Sequence, residues 1–375
     1  MSKSKVYWAD FRTVAMGDGI AKKLQRLIKT AGIEQIDMKD KFVAIKMHFG
    51  EHGNLAFLRP NYARAVVDVV KSLGGKPFLT DCNTMYPGSR KNALEHLECA
   101  WENGFTPMTV GCPLLIADGL KGLDEEEVPI EGGVHLKTAK IGKAIMDADI
   151  LISLTHFKGH EVAGFGGALK NIGMGSGSRA GKCDQHSDGK AQIDENKCRG
   201  CKMCLRECAN NGLQFDDKKR KMSVNQNNCV GCGRCLGACN FDAIYFANDS
   251  AIKDLNEKMA EYSKAVIGSR PNFHISIINN VSPNCDCHPE NDAPIIPDIG
   301  MFCSFDPVAL DKCCIDMCLK QKPFENTQMT DVMKKTGKDY ENCFTNANPD
   351  TNCEDCLAHA EKIGIGSQEY ELIKM

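Results

Sequence analysis

Hydrophobic and polar positions along this chain switch between two periods. Continuous apolar runs at residues 42–47, 77–80 and 150–154 read as strands buried on both faces. Between the first two, Val66, Val69, Val70 and Leu73 recur on one face of a helix over 62–73, which Gly74-Gly75 stops. A second amphipathic pattern over 89–103, opened by a Ser89 cap and closed by Gly104, predicts another helix. The same pattern resumes after residue 250, with a helix over 252–266, a strand over 273–279 and a helix over 307–319. Strands alternating with helices predict an α/β fold: a mostly parallel sheet with helices on both faces. Residues 1–189 and 248–375 then make one domain in two parts, with 190–247 as an insertion. The glycine-, serine- and charge-rich stretch 173–190 reads as the entry linker, 247–250 as the exit, and the acidic run 124–127 as a solvated loop.

The insertion carries the sharpest chemical signal. Cys198, Cys201, Cys204 and Cys208 are repeated as Cys229, Cys232, Cys235 and Cys239, at a period of 31 residues without a gap. Ile193 matches Val224, Gly200 matches Gly231, Leu213 matches Ile244 and Phe215 matches Phe246. Each half reads as strand, cysteine loop, helical turn and returning strand, the doubled α+β pattern of a bacterial-type ferredoxin. Three thiolates spaced by two residues can wrap one face of a 4Fe-4S cubane, and the fourth cysteine of each run reaches across to the other cluster. The expected ligand sets are Cys198, Cys201, Cys204 and Cys239 for one cluster, and Cys229, Cys232, Cys235 and Cys208 for the second. A pair of zinc sites would not require the third cysteine at the same spacing. Ala209 and Asn240 stand where a proline usually follows the fourth cysteine, which alters the loop exits.

Removing 190–247 leaves more than 300 of the 375 residues, so a separate core is required. A net charge of −3, from 46 basic and 49 acidic residues, provides no single-sign field for nucleic acid or an anionic membrane. No run approaches a signal peptide core or a transmembrane span. The 21 cysteines fit a reducing, anaerobic cytoplasm better than a disulfide scaffold, because cluster ligation needs free thiolates. Cys285-Asp286-Cys287-His288 has ligand-like spacing, with Cys303, Cys313, Cys314 and Cys318 beyond it. Core packing is the preferred reading for these, for the looser set Cys343, Cys353 and Cys356, and for Cys82, Cys99, Cys112 and Cys183.

A second constellation follows the strand at 150–154. His156, Lys158, His160, Gly164, Gly166, Gly167 and Lys170 crowd its carboxyl end, where open α/β sheets bind ligands. The glycines allow close backbone approach, and their amides at the start of the next helix are expected to hold an anion together with Lys158. His160 suits proton transfer and Lys170 suits anchoring a carboxylate, phosphate or carbonyl. The loop after the strand at 42–47 contributes His48, Glu51 and His52, with His48 as a further candidate catalytic group. Asp81-Cys82-Asn83, with Ser89 and Arg90, forms a third wall and anion clamp. Parallel strands would bring these loops to one edge.

Residues 155–174, the segments Asp298-Ile299-Gly300 and Asp306-Pro307-Val308-Ala309, and the ending His359-Ala360-Glu361-Lys362-Ile363-Gly364 resemble the iron-sulfur-centre branch of the family called domain of unknown function 362. That resemblance covers most of the chain and implies a redox protein. A more distant one joins His160, Ala163, Gly164, Phe165, Gly167 and Lys170, ten residues after the histidine, to a loop of nickel-pincer lactate racemases. By it His160 would be the acid/base and Lys170 the cofactor tether, while the remaining nickel ligand has no counterpart. The combined expectation is an oxidoreductase whose two 4Fe-4S clusters pass electrons between a redox partner protein or carrier and a small molecule or cofactor in the α/β pocket. Two alternatives stay open: a non-catalytic carrier or metallocentre-assembly partner, and a racemase-like or cofactor-handling enzyme with structural or sensing clusters.

Overall fold

In the computed structural model, which describes residues 3–86, 88–186, 190–208, 210–229, 234–246 and 252–375, eight strands form the central sheet. They are β1 (Ser4–Ala9), β2 (Phe42–Lys46), β3 (Lys76–Asp81), β4 (Leu114–Ile116), β5 (Ile150–His156), β6 (Asn272–Ile278), β7 (Gly300–Ser304) and β8 (Tyr370–Lys374). Their spatial order is β8-β1-β7-β6-β5-β2-β3-β4. The run β6-β5-β2-β3-β4 is parallel throughout, and β8 lies parallel to β1. Only β7 runs against its neighbours β1 and β6. The sheet is therefore mixed, and mostly parallel as its sequence pattern implies.

Period-two alternation sends successive side chains to opposite faces. Val43, Ile45, Ile150, Ile152 and Leu154 pack with the helices Ile20–Thr30 and Pro60–Ser72, whereas Ala44 and Leu151 face the other layer. That layer holds the helices Ala168–Ser176, Ile252–Ile267, Pro307–Leu319 and Asp355–Lys362. Cys303, Cys313, Cys314, Cys318, Cys343, Cys353 and Cys356 are buried within these cores, in keeping with the packing reading.

Three local expectations are corrected. The helix predicted from Ser89 begins at Ala93, because the Asn92 side chain accepts from the Leu94 and Glu95 amides, while the Ser89 amide donates to Glu51. The acidic run is part of a strand, Glu125–Pro129, paired with Thr138–Gly142, and Ser178 and Lys143 bind its Glu125 and Glu126 carboxylates. Residues 173–186, the end of the helix Ala168–Ser176 and the helix Arg179–His186, are packed and not a linker. A Cβ on Gly173 would meet the Met259 carbonyl at 2.2 Å, and one on Gly181 the Lys140 carbonyl at 2.2 Å. Glycine there permits close helix packing instead of flexibility.

Between the two parts of the sheet, two short strand pairs stand apart from it. Ala191–Ile193 pairs antiparallel with Ile244–Phe246, and Leu213–Asp216 with Lys221–Val224. Each half thus opens on a strand, passes through a helical turn (Met203–Arg206, then Arg234–Gly237) and closes on a strand. The opening strand of one half pairs with the closing strand of the other. Cys232 and the expected exit at 247–250 lie outside the described residues.

The start of Ala168–Ser176 is capped by a distant carboxylate. Asp311 accepts from the Ala168 amide at 2.7 Å and the Leu169 amide at 2.9 Å. Burial pushes its carboxyl up to about 7, against the pull of these two amides. A raised folded-state value favours the protonated form, so Asp311 contributes most stability at low pH and loses it as pH rises from about 4 towards 7. Thermal melts of wild type and Asp311→Asn should show the wild-type advantage greatest near pH 4 and shrinking as pH approaches 7.

Candidate functional site

Strands β6, β5, β2 and β3 are neighbours and point the same way, so the loops that follow them meet at one edge. They enclose a cavity of about 580 Å³. His48, Glu51 and His52 enter from the loop after β2; Asp81, Cys82, Ser89 and Arg90 from that after β3. His156, Lys158, His160, Gly166, Gly167 and Lys170 come from the region after β5. The three loops grouped by sequence thus share one cavity. A fourth, after β6, adds Cys285, Asp286, Cys287 and His288.

Buried polar pairs tie these walls together. Lys46, at the end of β2, lies 2.9 Å from Asp81 at the end of β3, and its Nζ also donates to Asn171 Oδ1 at 2.9 Å. Asn171 in turn donates to the Lys46 and Leu154 carbonyls and to Thr155 Oγ1. Burial lowers the Lys46 ammonium's range. It pushes the Asp81 carboxyl up, but the Lys46 and His96 charges outweigh burial and hold Asp81 below the carboxylate norm. A second pair joins Arg90 Nε to Glu51 at 2.8 Å, with both side chains buried. Arg90 is therefore committed to Glu51 and is not the free anion clamp its sequence position suggests.

His160 is buried and lines the cavity. Its Nδ1 accepts from the Val162 and Ala163 amides, at 3.1 and 3.0 Å, which puts the proton of the neutral ring on Nε2. Nε2 lies 3.5 Å from Glu161. Burial and the Lys170 charge pull the ring's range down. His48 is arranged alike: Nδ1 accepts from the Gly50 amide at 2.9 Å, and the buried Nε2 has no hydrogen-bond partner among the described residues. Burial, then the Arg90 and Lys158 charges, hold it well below the usual imidazole range. His156 is engaged at both ring nitrogens, by Asp286 at 2.8 Å and the Asn279 carbonyl at 2.7 Å. Exposed His52 pairs with Glu102.

Lys158 is buried, and burial alone would lower its range; the surrounding Cys285, Asp286, Cys287 and Glu161 more than reverse that. Lys170 Nζ lies 3.8 Å from Cys285 Sγ. Among the described residues, neither Lys158 nor Lys170 has a carboxylate within ion-pair distance, whereas Lys46 and Arg90 do.

The glycines play a different part from the one expected. At the start of Ala168–Ser176, the Ala168 and Leu169 amides serve Asp311 and are not available to a ligand. A Cβ on Gly167 would meet Asp311 at 2.4 Å. Gly164, at φ +85°, faces Cys353, and only Gly166 and Gly167 reach the cavity wall.

Sequence reasoning missed Lys46, Glu161, Lys182 and His186. A lysine inside the apolar run of β2 was the available signal for Lys46. Lys182 and His186 lie in the stretch read as a linker.

Between residues 190 and 246, a small cavity is lined by Cys198, Cys201, Cys204 and Cys239, with Ile193, Met222 and Ile244 around them. The Met222 amide donates to Cys198 Sγ at 3.4 Å. Cys208 Sγ accepts from the Gly212 amide at 3.2 Å, and a Cβ on Gly212 would touch the Cys229 backbone at 3.1 Å. Cys208 thus sits on the side of the second run, and Cys239 on the side of the first.

The family model described as domain of unknown function (DUF362) matches residues 43–316. The chain belongs to this family. A thylakoid-associated protein from Synechocystis is 28% identical over 126 residues, covering 32% of this chain and 33% of that protein. Among solved structures, a lactate racemase apoprotein from Thermoanaerobacterium thermosaccharolyticum is 13% identical, with a TM-score of 0.36, covering 73% of this chain and 50% of that one. A Thermotoga maritima protein is 12% identical, with a TM-score of 0.35, covering 70% and 50%. This DUF362 chain therefore spans a third of the length of the curated relative and half that of the two structures. No helix among its described residues is long and apolar enough to cross a membrane.

Breaking one partner of a buried pair leaves the other charge uncompensated. Asp81→Asn should therefore lose about 3–5 kcal/mol in chemical denaturation. The double variant Lys46→Met/Asp81→Leu should lose less than that single change.

Proposed function

We propose that the chain is an iron-sulfur oxidoreductase of the iron-sulfur branch of its family, with residues 190–247 forming a ferredoxin-like insertion beside a substrate pocket. Bound 4Fe-4S clusters supply one-electron transfer. Cys198, Cys201, Cys204 and Cys239 hold one, and Cys229, Cys232, Cys235 and Cys208 the other. The four-thiol cavity fits such a group: the donors are soft, their surroundings apolar, and backbone amides point at sulfur. A redox partner protein in a reducing cytoplasm exchanges electrons with the insertion.

The observation that carries the reading is a shared wall. Met85 lines the large cavity and also packs against the buried cluster containing Cys198, Cys204 and Cys235. Lys91 bridges the two parts through Asp242 at 3.3 Å, and the Arg179 charge bears on both Asp242 and Cys239. The helix carrying Arg179 ends at His186, which lines the cavity. Electrons delivered to the insertion therefore arrive beside the pocket.

Within the pocket, Lys158 and Lys170 supply cationic charge free of a carboxylate, which suits a small anion such as a carboxylate or phosphate. His160, its Nδ1 fixed by two amides, directs its Nε2–H at that molecule as a hydrogen-bond donor that stabilises negative charge developing on it. His48 also lines this space, its buried Nε2 without a hydrogen-bond partner among the described residues.

Anaerobically prepared protein should contain about eight iron and eight labile sulfide per chain, with visible absorption that bleaches on reduction. Cys239→Ala should damage the cluster whose other ligands are in the first run; paramagnetic resonance showing loss only of the second cluster would refute the crossed ligand sets. His160→Ala and Lys170→Ala should leave iron content and cluster spectra unchanged. They should abolish cluster reoxidation by any small anion found to drive it in wild type. If no anion in a panel of carboxylates and phosphates reoxidises the wild-type clusters, the carrier reading takes precedence.

A further inference from the structure

The segment Cys285–His288 is held in place by contacts that leave three of its side chains in the cavity. The Asp286 carboxylate is taken by His156 at 2.8 Å, and its carbonyl accepts from the Glu51 amide at 2.9 Å. Asn54 Nδ2 holds the His288 carbonyl at 2.8 Å. The end of β5 and the loop after β2 thus fix the segment, and Cys285, Cys287 and His288 line the cavity together with Glu161. The core packing preferred from sequence does not describe Cys287 or His288, which are half-buried at the rim.

Among the described residues, one group of side chains brings metal-ligating atoms together: Glu161, Cys287 and His288, all within 4.8 Å of one another. Their present contacts are those of ligands closed on each other. His288 Nε2 lies 3.0 Å from Glu161 Oε1, while Glu161 Oε2 is occupied by the Cys285 amide at 3.0 Å. One carboxylate oxygen is therefore oriented and the other left to ligate. His288 Nδ1 faces exposed Glu290 at 3.8 Å, beyond hydrogen-bond distance.

We propose that Glu161, Cys287 and His288 form a mononuclear site for a borderline-soft divalent cation of the zinc class, separate from the cysteines of the insertion. One sulfur, one imidazole nitrogen and one carboxylate oxygen suit zinc and its first-row neighbours, whereas magnesium and calcium select oxygen. Three protein ligands would leave a fourth position open to a molecule in the cavity that all three residues line. An ion there would polarise an oxygen of a molecule held by Lys158 and Lys170. The site does not depend on the electron-relay reading, because none of its residues belongs to the insertion.

The test is an anaerobic zinc titration of the full chain with its iron intact, against a competing chelator. Zinc-edge X-ray absorption should report one sulfur at about 2.3 Å and nitrogen or oxygen at about 2.0–2.2 Å. Cys287→Ala and His288→Ala should each weaken zinc binding at least about tenfold while iron content stays unchanged. His288 is half-exposed, so its removal tests the site without disturbing a core. Absence of zinc binding, an all-sulfur shell, or wild-type affinity in both variants would overturn the proposal.

Discussion

Lys46, Asp81 and Asn171 form the interaction on which the cavity depends. The lysine ends one strand, the aspartate its neighbour, and Asn171 belongs to the helix that follows the glycine loop. Asn171 bonds Lys46 through both the side chain and the carbonyl, and bonds the end of β5 as well. A buried lysine is tolerated only with its charge and protons satisfied. Meeting that requirement fixes three elements at once and sets the distance between the loops that line the pocket.

From this fixed edge the charges divide into two groups. Arg90 and Lys46 are matched by carboxylates and act as structure. Lys158 and Lys170 face the cavity without such partners among the described residues, beside histidines kept in their neutral range by burial and neighbouring cations. Neutral imidazoles with one nitrogen tied to backbone amides have a defined proton position. That combination suits binding an anion and donating neutral N–H hydrogen bonds to it, and a glycine-rich loop alone would not have distinguished it from an ordinary turn.

The outer layer shows how one composition can serve opposite ends. Glycines at 173 and 181 let helices approach within the reach of backbone carbonyls, so a stretch that looks like a flexible connection is packed. The same helix carries Lys182 and His186 to the cavity and Arg179 towards the cysteine-rich unit. The unit's neighbourhood to the pocket follows from this packing and from Met85, not from chain order.

By itself the sequence determined the alternating elements, the mostly parallel sheet, the doubled cysteine runs and the loops that carry His48, His160 and Lys170. Those features are local: hydrophobic period, turn residues and ligand spacing are written within a few residues of each other. Tertiary structure alone decided that Asp311 caps the helix start in place of a ligand, that Arg90 is spent on Glu51, and that Cys287 and His288 meet Glu161 across the cavity. Each joins positions far apart in the chain, and which strands become neighbours is set by competition among long-range contacts. The reversed direction of β7, between β1 and β6, is likewise decided by long-range pairing, because an apolar pattern reads the same in either direction.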